Sequence, residues 1–172
     1  RITHAIAGYL AMHLQMARPH VSLIPSAASH WPQYALDLGK GDVVVLFDIR
    51  RYENAVLNLA EMAKDQGVEI VLITDRWVSP AVSHARHMLA CHIEAPSAWD
   101  SLAAPLVVIE SLLGAVQGLI WPVTEARMKQ IDFTPEVFPT RNVVLTRKPH
   151  RVVSTLEELR AERVGTVKGT SL

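Results

Sequence analysis

The sequence predicts an α/β domain built around a parallel β-sheet, and two observations support this fold class. Apolar runs typical of strands alternate with segments of helical periodicity between residues 3 and 120. Two of the runs are apolar almost throughout and rich in β-branched residues, which is typical of strands covered on both faces. Because strands and helices alternate, the connections are crossovers, and crossovers between parallel strands are right-handed.

The first predicted elements lie before Gly39. Thr3–Ala17 carries apolar residues at helical spacing, and Pro19 stops this helix. HVSLI, residues 20–24, is a short apolar run and predicts a strand. SHWPQYALDL, residues 29–38, predicts a short helix that ends at the glycine.

Two strongly apolar runs then flank a helix. GDVVVLF, residues 41–47, is a continuous β-branched run and predicts a strand buried on both faces. Tyr52–Gln66 predicts a helix that Gly67 closes. One stripe of this helix is apolar, and its members are Val56, Leu59, Ala60 and Ala63. VEIVLITD, residues 68–75, predicts a second buried strand.

The alternation ends with three further elements. SPAVSHARH, residues 79–87, predicts a short helix with Ser79 as N-cap and Pro80 at its first position. MLACHIEA, residues 88–95, predicts another strand. Asp100–Ile120 predicts a long and mostly apolar helix, which we expect to be buried on several sides.

The pattern changes after Trp121, so we expect one domain at residues 1–121 and a C-terminal extension at residues 122–172. The extension is rich in proline. STLEELRAER, residues 154–163, predicts a helix in which Ser154 and Glu157 have the spacing of a capping box. We expect the extension to pack on a partner subunit or to be partly disordered.

Composition limits the classes of function. Lys plus Arg and Asp plus Glu each number 17, so this chain alone lacks the excess of cations typical of nucleic-acid binders. No apolar run reaches the roughly 18–20 residues that span a bilayer. The sequence starts without Met or a signal peptide, which suggests a piece of a longer chain. Cys91 is the single cysteine, so no internal disulfide can form, and we expect a cytoplasmic location.

The histidines do not predict a metal centre. His84 and His87 are three residues apart on a predicted helix, and His92 follows in a strand. No further Cys or carboxylate at ligand spacing accompanies them, so this pattern is typical of solvated histidines. We therefore expect neither a metal nor another cofactor.

The carboxyl ends of the predicted strands carry candidate ligand-binding residues. In an open parallel sheet, ligands bind beyond these ends, near helix N-termini. Three segments lie there, at residues 1–4, Asp48–Tyr52 and Thr74–Arg76. A helix N-terminus attracts anions through free N–H groups, and Arg50 and Arg51 add planar donors that match phosphate oxygens. These arginines predict a phosphate site; the alternative is that they only pair with neighbouring carboxylates.

The stretch from Gly41 to Val116 resembles a known family. The marks are GD before the apolar strand, RRY after it, ITD and SP around the end of the next strand, and EAPSAWDSLAAP at residues 94–105. Together they resemble the sugar isomerase (SIS) domain of RpiR-type transcriptional regulators, over roughly residues 1–119. The resemblance implies a flavodoxin-like three-layer sandwich with a five-stranded parallel sheet, whose first strand is missing from this chain.

The resemblance also implies a function. It indicates an effector-binding domain that senses a phosphorylated sugar or sugar derivative. In regulators of this type a helix-turn-helix domain precedes the SIS domain and binds DNA, and that domain is absent here. The family and the apolar helix Asp100–Ile120 together predict a homodimer or higher homo-oligomer.

The binding residues follow from the same resemblance. Thr3 occupies the position in the first phosphate-site loop that is usually a Ser or Thr. The second loop reads DIRRYEN, where many members have a hydroxyl-rich S.SG.T turn, so arginines stand in place of hydroxyls. Residues near the start of the long helix are expected to cap it and border the site. The predicted phosphosugar-binding set is Thr3, Arg50, Arg51, Tyr52, Ser97, Asp100 and Ser101.

A phosphosugar isomerase is the alternative function. Aldose–ketose isomerisation needs a general base near a carbon acid. The candidates are Glu110 and His4. If Glu110 is buried in the apolar helix, burial raises the pKa of its carboxyl group and makes it a stronger base. Nothing in the sequence places a base and an acid at a shared site, so we expect no catalysis. A structural SIS module without a ligand is a third possibility.

Overall fold

The computed structural model describes residues 2–130, which form an α/β unit. In chain order the α-helices are α1 (Ile2–Ala17), α2 (Trp31–Ala35), α3 (Asn54–Asp65), α4 (Ala103–Leu119) and α5 (Trp121–Met128). The strands are β1 (Val43–Asp48), β2 (Glu69–Asp75) and β3 (His87–Cys91). Short 3₁₀ helices at Ala28–His30 and Pro80–Ser83 precede α2 and β3.

The strands form one parallel sheet in the order β1-β2-β3. Val45 of β1 lies opposite Val71 of β2, and Ile73 of β2 lies opposite Leu89 of β3. Because the pairing is parallel, the carboxyl ends of all three strands meet at one edge of the sheet, which we call the rim. The predicted parallel α/β sheet is thereby confirmed, with three of its strands formed by residues 2–130.

Helices cover both faces of the sheet, as the predicted three layers require. On one face α3, with α2 against it, packs on a buried cluster that includes Val44, Leu46, Ile70 and Leu72. On the other face α1 and α4 enclose a second cluster, formed by Ile6, Leu10, Ile73, Cys91, Ile93, Ile109 and Leu113. Complete burial of each large aliphatic side chain contributes roughly 1.5–3 kcal/mol, so these two clusters hold the layers together.

Helix α3 shows the amphipathic pattern that its sequence predicts. The four apolar residues of the predicted stripe are all buried: Val56, Leu59, Ala60 and Ala63. The helix ends in a Schellman motif, because the Gly67 N–H donates to the Lys64 carbonyl (2.9 Å) and the Val68 N–H to the Ala63 carbonyl (3.0 Å). Gly67 has a φ of +77°, a conformation that glycine adopts at little cost.

The predicted strand HVSLI is wrong. Residues 20–24 form no strand and connect α1 to the 3₁₀ helix Ala28–His30. A strand needs a hydrogen-bonded neighbour for its backbone groups. In the flavodoxin-like strand order 2-1-3-4-5, the second strand pairs only with the first. Within residues 2–130 the sheet contains only β1, β2 and β3, and none of these strands pairs with HVSLI.

The predicted helix Ser79–His87 is also shorter than expected. Ser79 is the N-cap, as predicted, and its hydroxyl accepts a hydrogen bond from the Ala81 N–H (3.1 Å). The helix that follows is a single 3₁₀ segment, because the Arg86 N–H already bonds to the Ile70 carbonyl (2.9 Å). The chain thus enters β3 at His87, one residue before the predicted strand.

Helices α4 and α5 complete the described part of the chain. Helix α4 buries one stripe, formed by Pro105, Ile109 and Leu113, and not several sides as predicted. Helix α5 packs on α1, where the Thr124 hydroxyl donates to the Ala17 carbonyl (3.1 Å). Within residues 2–130, no single helix is long and apolar enough to cross a membrane, although α4 and α5 pass that test as a pair bent by 90°. The predicted helix at residues 154–163 lies outside the described residues.

Candidate functional site

The rim carries an open cleft lined by residues that follow all three strands. Its volume is about 430 Å³, inside the range of about 300–1,000 Å³ typical of small-molecule sites. The lining, which defines what we call the rim cleft, is Arg50, Arg51 and Tyr52 after β1, Trp77 after β2 and Glu94 after β3. The structure therefore brings three predicted binding residues to the edge at which open parallel sheets bind ligands.

Asp75, at the end of β2, fixes the turn that joins β1 to α3. Its side chain is fully buried and its carboxylate accepts three hydrogen bonds. The Arg50 N–H donates to Oδ2 (2.7 Å), and the Tyr52 hydroxyl (2.5 Å) and the Trp77 N–H (3.0 Å) donate to Oδ1. A carboxylate suits this position because it only accepts hydrogen bonds. Asp75 thus ties the turn after β1 to the turn after β2.

Tyr52 keeps its proton in this arrangement. Desolvation raises the pKa of Tyr52 to about 12, and the hydrogen bond to Asp75 acts in the same direction. The phenol is therefore a hydrogen-bond donor at neutral pH and cannot serve as a general base. Its role in the rim cleft is to shape the wall beside the two arginines.

Arg50 and Arg51 both adopt left-handed backbone conformations, with φ values of +37° and +54°. Each such conformation costs a non-glycine residue of order 1–3 kcal/mol, so the surrounding structure must hold it in place. The bond from the Arg50 N–H to buried Asp75 supplies part of that support. A turn that needed only this backbone shape would favour glycine. The backbone shape alone therefore does not explain the presence of arginine at these two positions.

The guanidinium of Arg50 is held between a carboxylate and an aromatic ring. Its Nε lies 3.3 Å from Asp100 Oδ1, and its central carbon lies 4.5 Å from the centroid of the Trp77 ring. The side chains of the ion pair are 44% and 37% exposed, so the pair contributes at most about 1 kcal/mol. Because this pair is weak, Arg50 can exchange Asp100 for another anion at little cost.

Arg51 is the more accessible of the two cations. It is exposed, lines the rim cleft, and forms no ion pair with any residue from 2 to 130. Helix α3 begins at Asn54, and the side chain of its N-cap residue, Glu53, does not cap the first N–H groups. The Arg51 guanidinium on the cleft lining favours an anion, and so does the nearby N-terminus of α3, which begins three residues after Arg51.

A buried hydrogen-bond network lies beneath the rim. The Ser79 hydroxyl donates to Asp48 Oδ2 (2.5 Å), and the Thr74 hydroxyl donates to the Asp48 carbonyl (2.7 Å). The Ser79 N–H donates in turn to the Thr74 hydroxyl oxygen (3.1 Å). All three side chains are buried. The network joins the ends of β1 and β2 to the Pro80–Ser83 helix and gives the rim cleft a rigid base.

The other predicted binding residues lie away from the cleft lining. Thr3 is half-buried in the first turn of α1. Ser97 is exposed and its hydroxyl donates to a backbone carbonyl two residues on (2.8 Å), so it does not cap α4. The Ser101 hydroxyl accepts from the Ala103 N–H at the start of α4 (3.2 Å). Asp100 reaches the cleft through its ion pair with Arg50. The binding roles of these four residues stay predictions.

The two catalytic candidates also lie outside the rim cleft. Glu110 is exposed on α4 and not buried, and it accepts a hydrogen bond from the Tyr9 hydroxyl on α1. That hydrogen bond, followed by desolvation, raises the pKa of Tyr9. His4 is half-buried on α1. No group of three or more His, Cys, Asp or Glu side chains within residues 2–130 could hold a metal ion.

Sequence reasoning missed Trp77 and Glu94 as lining residues. Trp77 lies two residues beyond the end of β2, and Glu94 lies three residues beyond the end of β3. Their positions just past strand ends were the available signal, because such residues meet at the rim of a parallel sheet. The role of Asp75 could not be predicted from its local sequence, because two of its three hydrogen-bond donors belong to the turn after β1.

A family profile decides the identity of the fold. The profile of the SIS domain matches residues 1–115 of the 172-residue chain. This chain belongs to the SIS domain family. The predicted resemblance is therefore confirmed, and the rim cleft is the rim of an SIS sheet. No curated protein sequence matches the chain significantly.

Solved structures share the SIS fold. One is the sugar isomerase domain of an RpiR transcription factor from Sphaerobacter thermophilus, with 20% identity, a TM-score of 0.68, and coverage of 74% of this chain and 71% of that chain. The Vibrio vulnificus NanR protein complexed with ManNAc-6P has 18% identity and a TM-score of 0.59, over 74% of this chain and 49% of NanR. A proposed sugar-phosphate isomerase from Listeria monocytogenes has 16% identity and a TM-score of 0.61, over 74% and 70%. At these identities the similarity establishes the fold, and this chain spans about half of NanR.

Proposed function

We propose that this SIS domain senses a phosphorylated sugar and belongs to a transcriptional regulator whose helix-turn-helix domain lies outside this chain. The observation that carries the proposal is the pair of arginines in left-handed conformations on the rim cleft. The similarity to an RpiR transcription factor and to NanR supports the regulatory part. NanR was solved with ManNAc-6P, which supports a phosphosugar as the ligand class.

Arg51 and the N-terminus of α3 form the phosphate site in this proposal. The guanidinium supplies planar donors and a permanent charge, and the first N–H groups of the helix supply further donors. Arg50 joins them when the phosphate replaces Asp100 as its partner. Thr3 contributes from the first turn of α1, and Ser97 and Ser101 contribute from the segment before α4, as the family resemblance implies. Tyr52 and Trp77 form the walls against which the sugar lies.

Ligand binding reaches the rest of the regulator through α4. Asp100 lies three residues before this helix, so its release from Arg50 changes the restraint on the start of α4. Helix α4 also exposes apolar side chains, Val107 opposite its buried stripe and Leu106 and Leu119 beside it. We infer that a second copy of the chain covers these side chains in a homodimer. A ligand that shifts α4 then alters the spacing of the two DNA-binding domains.

A phosphosugar isomerase is the second candidate, and the Glu94 carboxylate on the cleft lining favours it. A carboxylate can act as the general base of aldose–ketose isomerisation. The sensor is preferred because the proton of Tyr52 is bound to Asp75 and is not placed to assist ring opening. Conversion of glucose 6-phosphate into fructose 6-phosphate by the purified chain would favour the enzyme.

The cytoplasm is the proposed location. Cys91 is a buried free thiol, and burial raises the pKa of that thiol, which keeps it in the unreactive form. Phosphorylated sugars are also intracellular metabolites by virtue of their charge, since a dianion does not cross the bilayer unaided.

Thermal unfolding in the presence of a panel of sugar phosphates, amino-sugar phosphates and inositol phosphates tests the proposal. A ligand at 100 times its Kd adds about 2.7 kcal/mol, which raises the Tm by about 5–10 °C for a chain of this size. The unphosphorylated sugars serve as controls and should give no shift. The arginine site is tested with Arg51→Ala, which should lose the shift and keep the Tm of the free protein.

Arg86→Ala is the matched control variant. Arg86 is also an exposed arginine, but it pairs with Glu69 (3.0 Å) at the opposite edge of the sheet. Its removal should leave the ligand-induced shift unchanged. An Arg51→Ala protein that still responds fully to the same sugar phosphate would contradict the site assignment, and a panel without any response would contradict the sensing function.

A further inference from the structure

We propose that Glu94 forms a second subsite in the rim cleft and selects phosphosugars whose far end carries hydrogen-bond donors or a positive charge. The inference rests on the proposed function, because it concerns the same ligand. The inference narrows the class of ligand. The preferred ligand is a monophosphate of an amino sugar or of a neutral sugar, whereas phosphates of sugar acids and bisphosphates bind more weakly.

The cleft has charges of opposite sign at its two ends. Arg50 and Arg51 follow β1, whereas Glu94 follows β3, and β2 lies between these strands in the sheet. Neighbouring strands are about 4.8 Å apart, so the two ends of the cleft are separated by roughly 10 Å. A ligand that spans this distance has room for a phosphate at one end and a sugar ring between the ends.

Glu94 is held in place by two groups and keeps accepting capacity. Its Oε2 lies 3.3 Å from a guanidinium nitrogen of Arg76 and 3.7 Å from His92 Nε2. Both of these contacts involve the same oxygen. A carboxylate has about four lone-pair positions and donates nothing. The group that meets Glu94 must therefore bring the hydrogen atom, as a hydroxyl, an amide or an ammonium does.

Trp77 occupies the middle of the cleft between the charged ends. Its ring is half-exposed, and Arg50 lies over it at 4.5 Å. Arg76 also approaches this ring, at 5.8 Å from its centroid, and the part of the ring that stays exposed suits the C–H bonds of a sugar ring. A second phosphate or a carboxylate placed beside Glu94 would meet a like charge, which the exposed ion pair of Glu94 with Arg76 offsets only in part.

Three probes with the same phosphate and different far ends test the selection. They are glucosamine 6-phosphate, glucose 6-phosphate and 6-phosphogluconate, which present an ammonium, a hydroxyl and a carboxylate. Calorimetric titration at pH 7 and low ionic strength should give the tightest binding for the first and the weakest for the last. Each step should be about fivefold, as expected for a charge about 4 Å away in a solvated site.

Glu94→Gln should bring the three dissociation constants to within about twofold of one another, because the neutral amide both donates and accepts. Glu69→Gln is the matched control: Glu69 has nearly the same exposure (44% against 45%) and also pairs with an arginine, but lies at the opposite edge of the sheet. This variant should keep the order of the wild-type protein.

The outcomes separate this inference from the function on which it rests. If none of the three probes binds the wild-type chain, the phosphosugar-sensing function itself is overturned for this class of ligand. If the probes bind with equal affinities, or keep their order in Glu94→Gln, binding of phosphosugars stands and the Glu94 subsite is overturned. Loss of the order in Glu69→Gln as well would attribute the selection to the general charge of the protein.

Discussion

Replacement of Asp75 by Asn tests how the rim cleft is built. The buried carboxylate accepts hydrogen bonds from the Arg50 N–H, the Tyr52 hydroxyl and the Trp77 N–H. Asn has one acceptor oxygen and places an NH₂ group where the other oxygen was, so at least one buried donor then faces another donor. Loss of a hydrogen bond to a charged group costs about 1.5–3 kcal/mol, and the remaining bonds become weaker neutral ones. We expect Asp75→Asn to lower the free energy of unfolding by about 2–4 kcal/mol in total.

Urea unfolding followed by circular dichroism measures this change. With a slope of about 1–3 kcal/mol per molar urea, the midpoint should fall by about 1 M or more. Asp65→Asn is the control, because Asp65 is an exposed residue at the end of α3 and its replacement should cost less than about 0.5 kcal/mol. If the midpoint of Asp75→Asn lies within the error of the control, the carboxylate does not hold the two turns together and the reasoning about the cleft fails.

Three further predictions concern the rim. Because the pKa of Tyr52 is raised to about 12, the unfolded chain loses its phenolic proton first, and the free energy of unfolding should fall between about pH 10 and pH 12. Urea titrations should show a smaller fall in Tyr52→Phe, and an identical fall would refute this. Ser79→Ala removes an N-cap and one hydrogen bond to the buried Asp48 carboxylate, so it should cost about 2–3 kcal/mol. A loss under about 0.5 kcal/mol in urea unfolding would argue against the network. Asp100→Asn should tighten the binding of glucose 6-phosphate by up to about fivefold, because Arg50 no longer has a competing carboxylate. Calorimetric titration measures this change, and weaker binding would mean that Asp100 contacts the ligand itself.

Local sequence patterns were sufficient for the elements that carry their own signal. The β-branched run of β1 predicted a strand and the apolar stripe of α3 predicted the buried face of a helix, and the structure confirms both elements. Burial of β1 on both faces is not confirmed, because only every second residue of the strand is fully buried. HVSLI has an equally strand-like composition but forms no strand. Composition predicts whether the side chains on the two faces of a strand are buried. The backbone hydrogen bonds of a strand depend on a neighbouring strand, which the local sequence does not reveal.

The site was predictable in place but not in detail. Arg50 and Arg51 could be placed at the rim because the strand before them and the helix after them were both clear in the sequence. The partners of Arg50 could not be predicted from the sequence. Asp100 and Trp77 belong to segments that follow other strands, and they contact Arg50 only because the sheet brings the ends of its strands together. The same limit applies to Glu94, whose position across the cleft depends on the order of three strands.

The most direct test of the phosphate site is an NMR titration of the ¹⁵N-labelled chain with glucosamine 6-phosphate and, separately, with glucosamine. The account predicts that the phosphorylated sugar alone shifts the backbone amide signals of Arg51, Tyr52 and Asn54 and the guanidinium Nε–H signal of Arg51. Shifts that are confined to other regions, with these four signals unmoved at saturation, would contradict the claim that the arginine turn binds the phosphate.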